Sequence, residues 1–175
     1  MNPILEELKA RRSIRKFSPD MPEKADIEQI VEAGLYAANG MGKQAPIIVA
    51  VTNRELRDKL AEMNRKIGGW PEGFDPFYGA PVILITLADK SIATYVYDGS
   101  LTMGNMMMAA HALGLGSIWI HRAKQEFESE EGRAILKELG IEGDYEGIGH
   151  CAVGFIEGNE PEAKERRGGR VFWAE

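Results

Sequence analysis

Four short, continuously apolar runs constrain what this chain can fold into more than any other feature of its sequence. They are the segments 47–52, 81–88, 117–120 and 147–156. Apolar runs of this length that are rich in β-branched residues are typical of strands buried on both faces. Apolar residues at helical spacing predict helices between and around them, at 3–12, 27–35, 53–67, 98–114 and 129–141. Strands separated by helices predict a layered α+β (α/β) fold around a mostly buried sheet.

Polar and glycine residues set the expected ends of these helices. Asp26, Asn53 and Ser129 can each accept a hydrogen bond from first-turn N–H groups of the helix that follows. Gly114 closes the most apolar helix, and a strand comes next. A nucleotide-binding glycine loop has the opposite order, because it follows a strand and opens a helix. The sequence "GLG" at 114–116 therefore favours a helix C-cap and a tight turn over a phosphate-binding loop.

Length and composition indicate one globular domain that spans residues 1–175. Apolar residues make up 44% of the chain and charged residues 27%, as in ordinary soluble proteins. No apolar run reaches the roughly 18 residues that cross a bilayer. The N-terminal segment alternates charged and apolar residues and has no signal-peptide core. We therefore expect a cytoplasmic protein that does not contact a membrane.

Few side chains are arranged to carry out chemistry by themselves. Cys151 is the only cysteine, which excludes an internal disulfide, and the three histidines lack metal-ligand spacing, so we expect no metal site. His150 and Cys151 are neighbours in a strand and point to opposite faces, so they cannot form a nucleophile–base pair. A buried structural cysteine is favoured, and His111 is expected to be a hydrogen-bonded core residue. His121 follows a strand, where a role in a site and a purely structural role are equally open.

No catalytic residue is predicted from these patterns. A chain without a catalytic cluster can still be an enzyme if a bound cofactor carries the reaction. Features that would hold a cofactor are therefore more informative in this sequence than any single reactive side chain.

Positive charge is concentrated near both ends of an otherwise acidic sequence. The heptad "RRSIRKF" (11–17) and the tail "KERRGGR" (164–170) are basic, whereas the net charge is -6. Segments 9–16 and 164–170 hold nine cations and one acid, so the remainder carries -14. Nucleic-acid-binding proteins usually present a broad basic face, so this class is disfavoured. Solvated surface charge and a site for a phosphate-bearing cofactor both stay open, since guanidinium groups bind phosphate in a bidentate fork.

Four segments, in their order along the chain, resemble motifs of the nitroreductase family of FMN-dependent oxidoreductases. The heptad resembles that family's Arg-x-Ser-x-(Arg/Lys)-x-Phe signature. "MMMAAHALGLGSIWI" (106–120) resembles its central helix and the strand that follows. "GHCAVGF" (149–155) resembles its late strand, and "KERRGGRVFW" (164–173) its basic tail. The resemblance extends from about residue 5 to the end of the sequence.

This resemblance implies a three-layer sandwich in which a mixed central sheet is flanked by helices. It also implies a homodimer in which each C-terminal tail reaches onto the partner and two FMN molecules lie at the subunit interface. NADH or NADPH is the implied co-substrate, and a small molecule is the implied electron acceptor.

The resemblance also implies three groups of cofactor-binding residues. The FMN phosphate and ribityl chain would be bound by Arg11, Arg12, Ser13 and Arg15, with further phosphate contacts from Lys164 and Arg166. The N5 side of the isoalloxazine ring would face Ile120, His121 and Arg122. The second subunit would place against the ring a loop, 38–44, that includes Ala38, Asn39, Gly40 and Gln44.

Two departures from the family pattern affect these expectations. The family loop often reads Pro-Ser-x-x-Asn-x-Gln-Pro-Trp, whereas residues 38–46 read "ANGMGKQAP", so that the glutamine is kept at Gln44. Many members have a glutamate–glycine pair where His121 and Arg122 stand. An additional cation near the flavin would favour the anionic reduced ring and anionic substrates.

The function that the resemblance implies is that of an FMN-dependent NAD(P)H oxidoreductase with a two-step exchange. Hydride would pass from NAD(P)H to flavin N5, and then electrons would pass to a nitroaromatic, a quinone or a similar small acceptor. Two alternatives stay open: a flavin-fragmenting or dehalogenating enzyme of the same fold, and a non-catalytic FMN-binding module. The aromatic loop 68–78 either covers the cleft or packs simply as a long loop.

Overall fold

The computed structural model describes residues 2–175, in which four strands form one sheet in the order β1-β2-β4-β3. The strands are β1 (Pro46–Val51), β2 (Val82–Asp89), β3 (Gly116–Ile120) and β4 (Tyr145–Gly154). All three strand pairs are antiparallel. Among the described residues, parallel pairing is limited to one bridge between Ser13 and Ser117. The expected mixed sheet is thus antiparallel in its four strands, with this bridge as its only parallel element.

Residues 2–175 contain six α-helices, five of which cover the two faces of this sheet. They are α1 (Pro3–Ala10), α2 (Lys24–Leu35), α3 (Arg54–Gly68), α4 (Tyr95–Ala112), α5 (Ala123–Glu128) and α6 (Glu130–Glu138). Helices α2 and α4 pack together over one face, and α3, α5 and α6 lie over the other. The three-layer α+β sandwich is confirmed. None of the helices within residues 2–175 is both long and apolar enough to span a membrane.

The central strand β2 explains why the sheet is buried on both faces. Ile83, Ile85 and Leu87 pack into the core under α3 and α5, whereas Val82 and Leu84 pack under α4. All five are at most 1% exposed. Burial of each such side chain stabilises the fold by about 1.5–3 kcal/mol before the loss of chain entropy is counted. The apolar run that predicted this strand therefore reflects two cores rather than one.

Strand β1 differs from the expectation of a strand buried on both faces. It lies at the edge of the sheet, and Val51 is its only buried residue. One long side of an edge strand stays open whatever its residue types, so its apolar side chains are only half-buried. An apolar run does not distinguish an edge strand from a central one.

The helix ends follow the local sequence except at α2. The side chains of Asn53 and Ser129 cap α3 and α6 as expected, and Gly114 takes a left-handed φ of 75° after α4. The expected cap at Asp26 is wrong, because α2 already begins at Lys24, after Glu23 in extended conformation. Lys and Ala are good helix formers, so the helix begins three residues earlier than expected, which leaves Asp26 in its first turn.

Candidate functional site

The basic heptad 11–17 runs beside β3 and is anchored by its apolar residues. The backbone N–H of Ile14 donates to the carbonyl of Ser117 at 3.1 Å. Ile14 and Phe17 are 3% and 4% exposed, as expected for residues that fix the segment to the core. Arg15 and Lys16, which lie between these two anchors, are exposed.

Arg11 carries a buried cationic group without a partner. Its Nη1 is inaccessible to solvent and makes no hydrogen bond to any residue in 2–175. The neighbouring Arg12 is satisfied locally, because its Nη1 donates to the carbonyls of Lys9 and Arg11 at 2.7 and 2.9 Å. A small hollow beside the two arginines is lined by His111, Gly116, Ser117 and Glu160, among others. Buried charged donors are normally paired, so the unpaired Arg11 indicates a place for an anion.

The other cations of the two basic segments are exposed. Arg15 makes only a long hydrogen bond of 3.4 Å from Nη1 to the carbonyl of Ser13, which is half-buried. Lys16 forms an ion pair with Glu157 at 3.0 Å, in line with its expected solvated role. Lys164 and Arg166 lie in the exposed tail, and within residues 2–175 no hydrogen bond or ion pair joins them to the heptad. In one chain the tail therefore does not complete the basic site.

His111 lies at the edge of the hollow rather than in the core. Its Nε2 is 3.1 Å from a carboxylate oxygen of Glu7 on α1, and its side chain is 17% exposed. The expectation of a hydrogen-bonded histidine holds, but the partner lies on the terminal helix. This contact joins α1 to α4. It is a surface contact, since none of the residues of α1 is buried.

The loop 38–44 is held by a buried carboxylate at the start of α4. Asp98, which is 3% exposed, accepts hydrogen bonds from the N–H of Gly40 at 3.0 Å and from the hydroxyl of Thr94 at 2.9 Å. Asn39 closes the loop, since its side-chain oxygen accepts from the N–H of Gln44 at 2.9 Å. Ala38 and Gln44 are exposed on either side. The loop is therefore ordered by contacts within its own chain, although its sequence departs from the family pattern.

Gly40 is required by this arrangement, because a Cβ there would collide with the side chain of Thr94. We expect Gly40→Ala to displace the loop and to lower the free energy of unfolding by about 1–3 kcal/mol, the range for overpacked sites. Urea unfolding of the variant measures this change. Adding Thr94→Ser should restore little of it, because the hydroxyl oxygen, which is the atom nearest to the added Cβ, stays in place. Equal free energies of unfolding for Gly40→Ala and the parent chain would show that the loop moves aside at no energetic cost.

The segment that follows β3 has an unusual backbone. Ile120 is buried at the end of the strand, His121 is exposed, and Arg122 has a φ of 83° in the left-handed region. A non-glycine residue there costs about 1–3 kcal/mol, so its surroundings must hold it. Asn64 on α3 does so: its side-chain amide donates to the carbonyl of His121 at 2.9 Å and its oxygen accepts from Arg122 Nε at 3.2 Å.

A pair of fully buried titratable residues supports Asn64. The amide of Asn64 donates to one carboxylate oxygen of Glu126 at 2.5 Å, and the other oxygen lies 2.8 Å from His150 Nε2. Asn64, Glu126 and His150 are all 0% exposed. We refer to these three residues as the buried triad. It joins α3, α5 and β4 and reaches the residue that follows β3.

Sequence reasoning missed Asn64 and Glu126. The signal for Asn64 lay in α3, where Arg57, Leu60, Ala61 and Asn64 form the buried stripe at helical spacing. A polar residue on such a stripe indicates a buried hydrogen bond. No signal pointed to Glu126, because α5 has only six residues and was not recognised as a helix.

The aromatic loop between α3 and β2 packs closely and forms no helix or strand. The rings of Trp70 and Phe74 are 5.0 Å apart, and Phe77 is fully buried. Arg57 fixes the loop by donating from Nε to the carbonyl of Ala80 at 3.0 Å and by an ion pair with Asp75. Packing is therefore part of its role, and Trp70 also contacts Arg122, whose Cζ lies 4.2 Å from the ring centroid.

Two of the three groups of predicted cofactor-binding residues lie beside β3. The third group, in the loop 38–44, lies apart from them. Arg11, Arg12 and Ser13 adjoin β3 near its start, and Ile120 to Arg122 follow its end. No hydrogen bond or ion pair among residues 2–175 joins the loop 38–44 to either group. The loop instead borders its own hollow of about 230 Å³, between α2, β1 and α4.

Cys151 is buried on the face opposite to His150, as the strand geometry predicts. Burial raises the pKa of its thiol to about 12, although the charge of Arg11 opposes this shift. The reactive thiolate is therefore scarce in the native state. We expect a disulfide reagent at pH 8 to modify Cys151 only as fast as the protein unfolds, and at once in denaturant. Rapid modification of the native protein would contradict a structural role.

Known proteins are similar to this chain in both sequence and structure. The sequence model of the Nitroreductase family matches residues 8–68 and 70–155. A candidate NADH dehydrogenase/NAD(P)H nitroreductase of Methanothermobacter thermautotrophicus is 33% identical over 121 residues, which are 66% of this chain and 59% of that protein. The FMN reductase (NAD(P)H) of Bacillus subtilis is 26% identical over 140 residues, 67% of this chain and 53% of that one. The chain thus spans less than two thirds of either relative.

A solved structure covers the whole chain. The nitroreductase of Bacteroides fragilis, crystallised with bound FMN, aligns over 100% of both chains with a TM-score of 0.89 and 28% identity. The layered architecture is thus shared with an FMN-bound protein of the same extent.

Proposed function

Because the chain belongs to the nitroreductase family, we propose that it is an FMN-dependent NAD(P)H oxidoreductase formed by a single domain. The observation that carries this proposal is the buried, unpaired Nη1 of Arg11. An anion bound beside Arg11 would satisfy that donor, and a phosphate suits a guanidinium group. The adjacent hollow is too small for a water molecule as it stands, so the exposed tail segment around Glu160 would have to move away when the anion binds. The residues present therefore fit the phosphate end of FMN.

The proposed site divides its work among the residues of the chain. Arg11, Arg12, Ser13 and Arg15 would hold the phosphate and ribityl chain, and the anchored Ile14 fixes their spacing. Ile120, His121 and Arg122 would border the N5 side of the ring, where Asn64 fixes their backbone. Bound FMN would supply the redox chemistry by accepting hydride from NAD(P)H and passing electrons to an acceptor. The protein's own part is binding, orientation and charge, without a proton-relay triad.

A homodimer is part of this proposal. The outer edge of β1 is unpaired among the described residues, and beside it a groove of about 820 Å³ lies between α2 and β1. Val171, Phe172 and Trp173 of the tail are 68–90% exposed. A partner's tail could cover such a groove, and apolar tail residues would then be buried. Lys164 and Arg166, and the loop 38–44, would thereby reach a site shared between subunits.

The first experiment is spectroscopic. The purified protein should be yellow with a flavin spectrum, and NADH or NADPH should bleach that colour in the absence of oxygen. Reoxidation by a panel of nitroaromatics and quinones then identifies the acceptor class. A flavin that is bound but not bleached would indicate a non-catalytic FMN-binding module. A colourless protein whose melting temperature FMN does not raise would refute the proposal.

Steady-state kinetics and hydrodynamics test the remaining parts. Donor and acceptor would occupy one cleft in turn, so initial-rate lines should be parallel, and intersecting lines would contradict this scheme. Analytical ultracentrifugation should give the mass of two chains, and a monomer would contradict the shared site. The cytoplasmic location expected from the sequence stays a prediction, which cell fractionation can test.

A further inference from the structure

The guanidinium group of Arg122 is fixed from two directions. Its Nε is bound to the side-chain oxygen of Asn64 at 3.2 Å. Its Cζ lies 4.2 Å from the centroid of the Trp70 ring, within the range of cation–π attraction. Trp70 is itself held, because its carbonyl accepts a hydrogen bond from Arg65 Nη1 at 2.6 Å. A long side chain that would otherwise sample many rotamers is thus held in one orientation.

The terminal nitrogens of this guanidinium group are not used within the chain. Among residues 2–175, neither Nη1 nor Nη2 of Arg122 makes a hydrogen bond or ion pair. The nearby carboxylate of Glu126 is engaged by Asn64 and His150 instead. Arg122 is only half-buried, so these two nitrogens remain accessible. Two parallel N–H donors on a fixed plane match the geometry of a carboxylate or phosphate.

The buried triad explains why this arrangement is more than a surface arginine. It fixes Asn64, and Asn64 binds both Arg122 Nε and the carbonyl of His121. The backbone of Arg122 is held in the left-handed region, where a non-glycine residue is strained. Fully buried polar groups thus hold one half-buried cation in place, and prior ordering of a binding group lowers the entropy lost when a ligand binds.

We propose that Arg122 is a specificity-determining residue that binds the carboxylate or phosphate of a reactant in the cleft. This inference rests on the proposed function, which puts His121 and Arg122 beside the flavin. The reactant is either an electron acceptor with a carboxylate or the phosphate-bearing dinucleotide donor. Both present anionic oxygens to the two terminal nitrogens of Arg122, and separate measurements distinguish them.

The experiment compares the parent protein with Arg122→Gln and Arg122→Lys in the flavin-loaded form. The acceptor arm uses 4-nitrobenzoate and its neutral analogue 4-nitrobenzamide. The donor arm measures the rate of flavin bleaching against NADH and NADPH concentration. Calorimetric titration with benzoate and with benzamide adds a measurement that requires no turnover and no flavin. The control Arg54→Gln removes an exposed guanidinium from the start of α3.

In the acceptor arm, Arg122→Gln should lower kcat/KM for 4-nitrobenzoate about tenfold relative to 4-nitrobenzamide, through KM, as expected for loss of a charge-assisted hydrogen bond. Arg122→Lys should restore part of this ratio, because it keeps the charge but not the fork. Benzoate affinity should fall in parallel, and Arg54→Gln should change neither. If instead the apparent Kd for NADH or NADPH rises tenfold, the anion is the donor's phosphate.

An unchanged acceptor ratio, unchanged benzoate affinity and unchanged donor Kd in Arg122→Gln would together overturn the inference. That outcome would leave the proposed oxidoreductase intact if the parent protein is yellow and is bleached by NADH. Absence of flavin and of bleaching would instead refute the proposed function. The benzoate titration would then still decide whether Arg122 binds anions.

Discussion

Replacing Arg11 by methionine should raise the Kd for FMN about 100-fold and should not destabilise the flavin-free protein. A hydrogen bond between charged groups contributes about 1.5–3 kcal/mol, and its loss accounts for the weaker binding. In the flavin-free chain, however, Arg11 Nη1 is buried without a partner. Methionine keeps most of the apolar length and removes that unsatisfied donor, so the free energy of unfolding should stay equal or increase.

Flavin titration and urea unfolding of the apoprotein measure the two quantities separately. Lys16→Gln is the matched control, because Lys16 is exposed and pairs with Glu157. The Kd for FMN of Arg15→Ala should lie between those of Arg11→Met and Lys16→Gln, since Arg15 belongs to the proposed site but is exposed. Equal FMN affinity in all three variants would mean that the heptad is ordinary surface charge. A strongly destabilised Arg11→Met apoprotein would mean that Arg11 serves the fold instead.

Replacing Glu126 by alanine should lower the free energy of unfolding by about 3 kcal/mol or more. Removal of one partner leaves each buried hydrogen-bonding group that it bound unsatisfied, which costs about 1–3 kcal/mol per group. Here the groups left without a partner would be His150 Nε2 and the side-chain amide of Asn64. Both residues are 0% exposed. For a chain of this length, such a loss lowers Tm by about 10 °C.

Glu128→Ala provides the control for this prediction, because Glu128 lies in the same short helix but is exposed and pairs only with Lys124. Exposed pairs contribute about 0–1 kcal/mol, so its Tm should hardly change. The double variant Glu126→Leu/His150→Leu should be more stable than Glu126→Ala, since a buried polar pair can be replaced by apolar side chains. Equal effects of Glu126→Ala and Glu128→Ala would exclude an important role for the triad.

Much of the fold could be predicted because the strands and long helices carry strong local signals. The central strand β2 is apolar on both faces, and α3 has its cap at Asn53 and a regular apolar stripe. Strand β1 was misjudged, because position at an edge depends on the order of strands in the sheet rather than on residue type. Short α5 was missed for a different reason: six residues do not establish a period.

The candidate site was predictable only in part. The charge of the heptad and its apolar anchors Ile14 and Phe17 could be recognised from sequence, and the structure agrees on the anchors. The buried triad could not, because its hydrogen-bonded pairs are 62 and 24 residues apart and only His150 lies in a segment that resembles a family motif. Nor could the sequence predict that Arg11 lacks a partner, since that depends on which groups the folded chain brings near it.

The attachment of the heptad also determines when the basic site can be assembled. Its backbone is bonded to partners from far along the chain: Ile14 to Ser117, Ser18 to Phe155, and Lys16 to Glu157. During synthesis the heptad leaves the ribosome well before these partners do. A newly made chain therefore carries its cationic segment undocked until β3 and the end of β4 are present. The proposed phosphate-binding end of the site is therefore completed only after β3 and the end of β4 have taken their places.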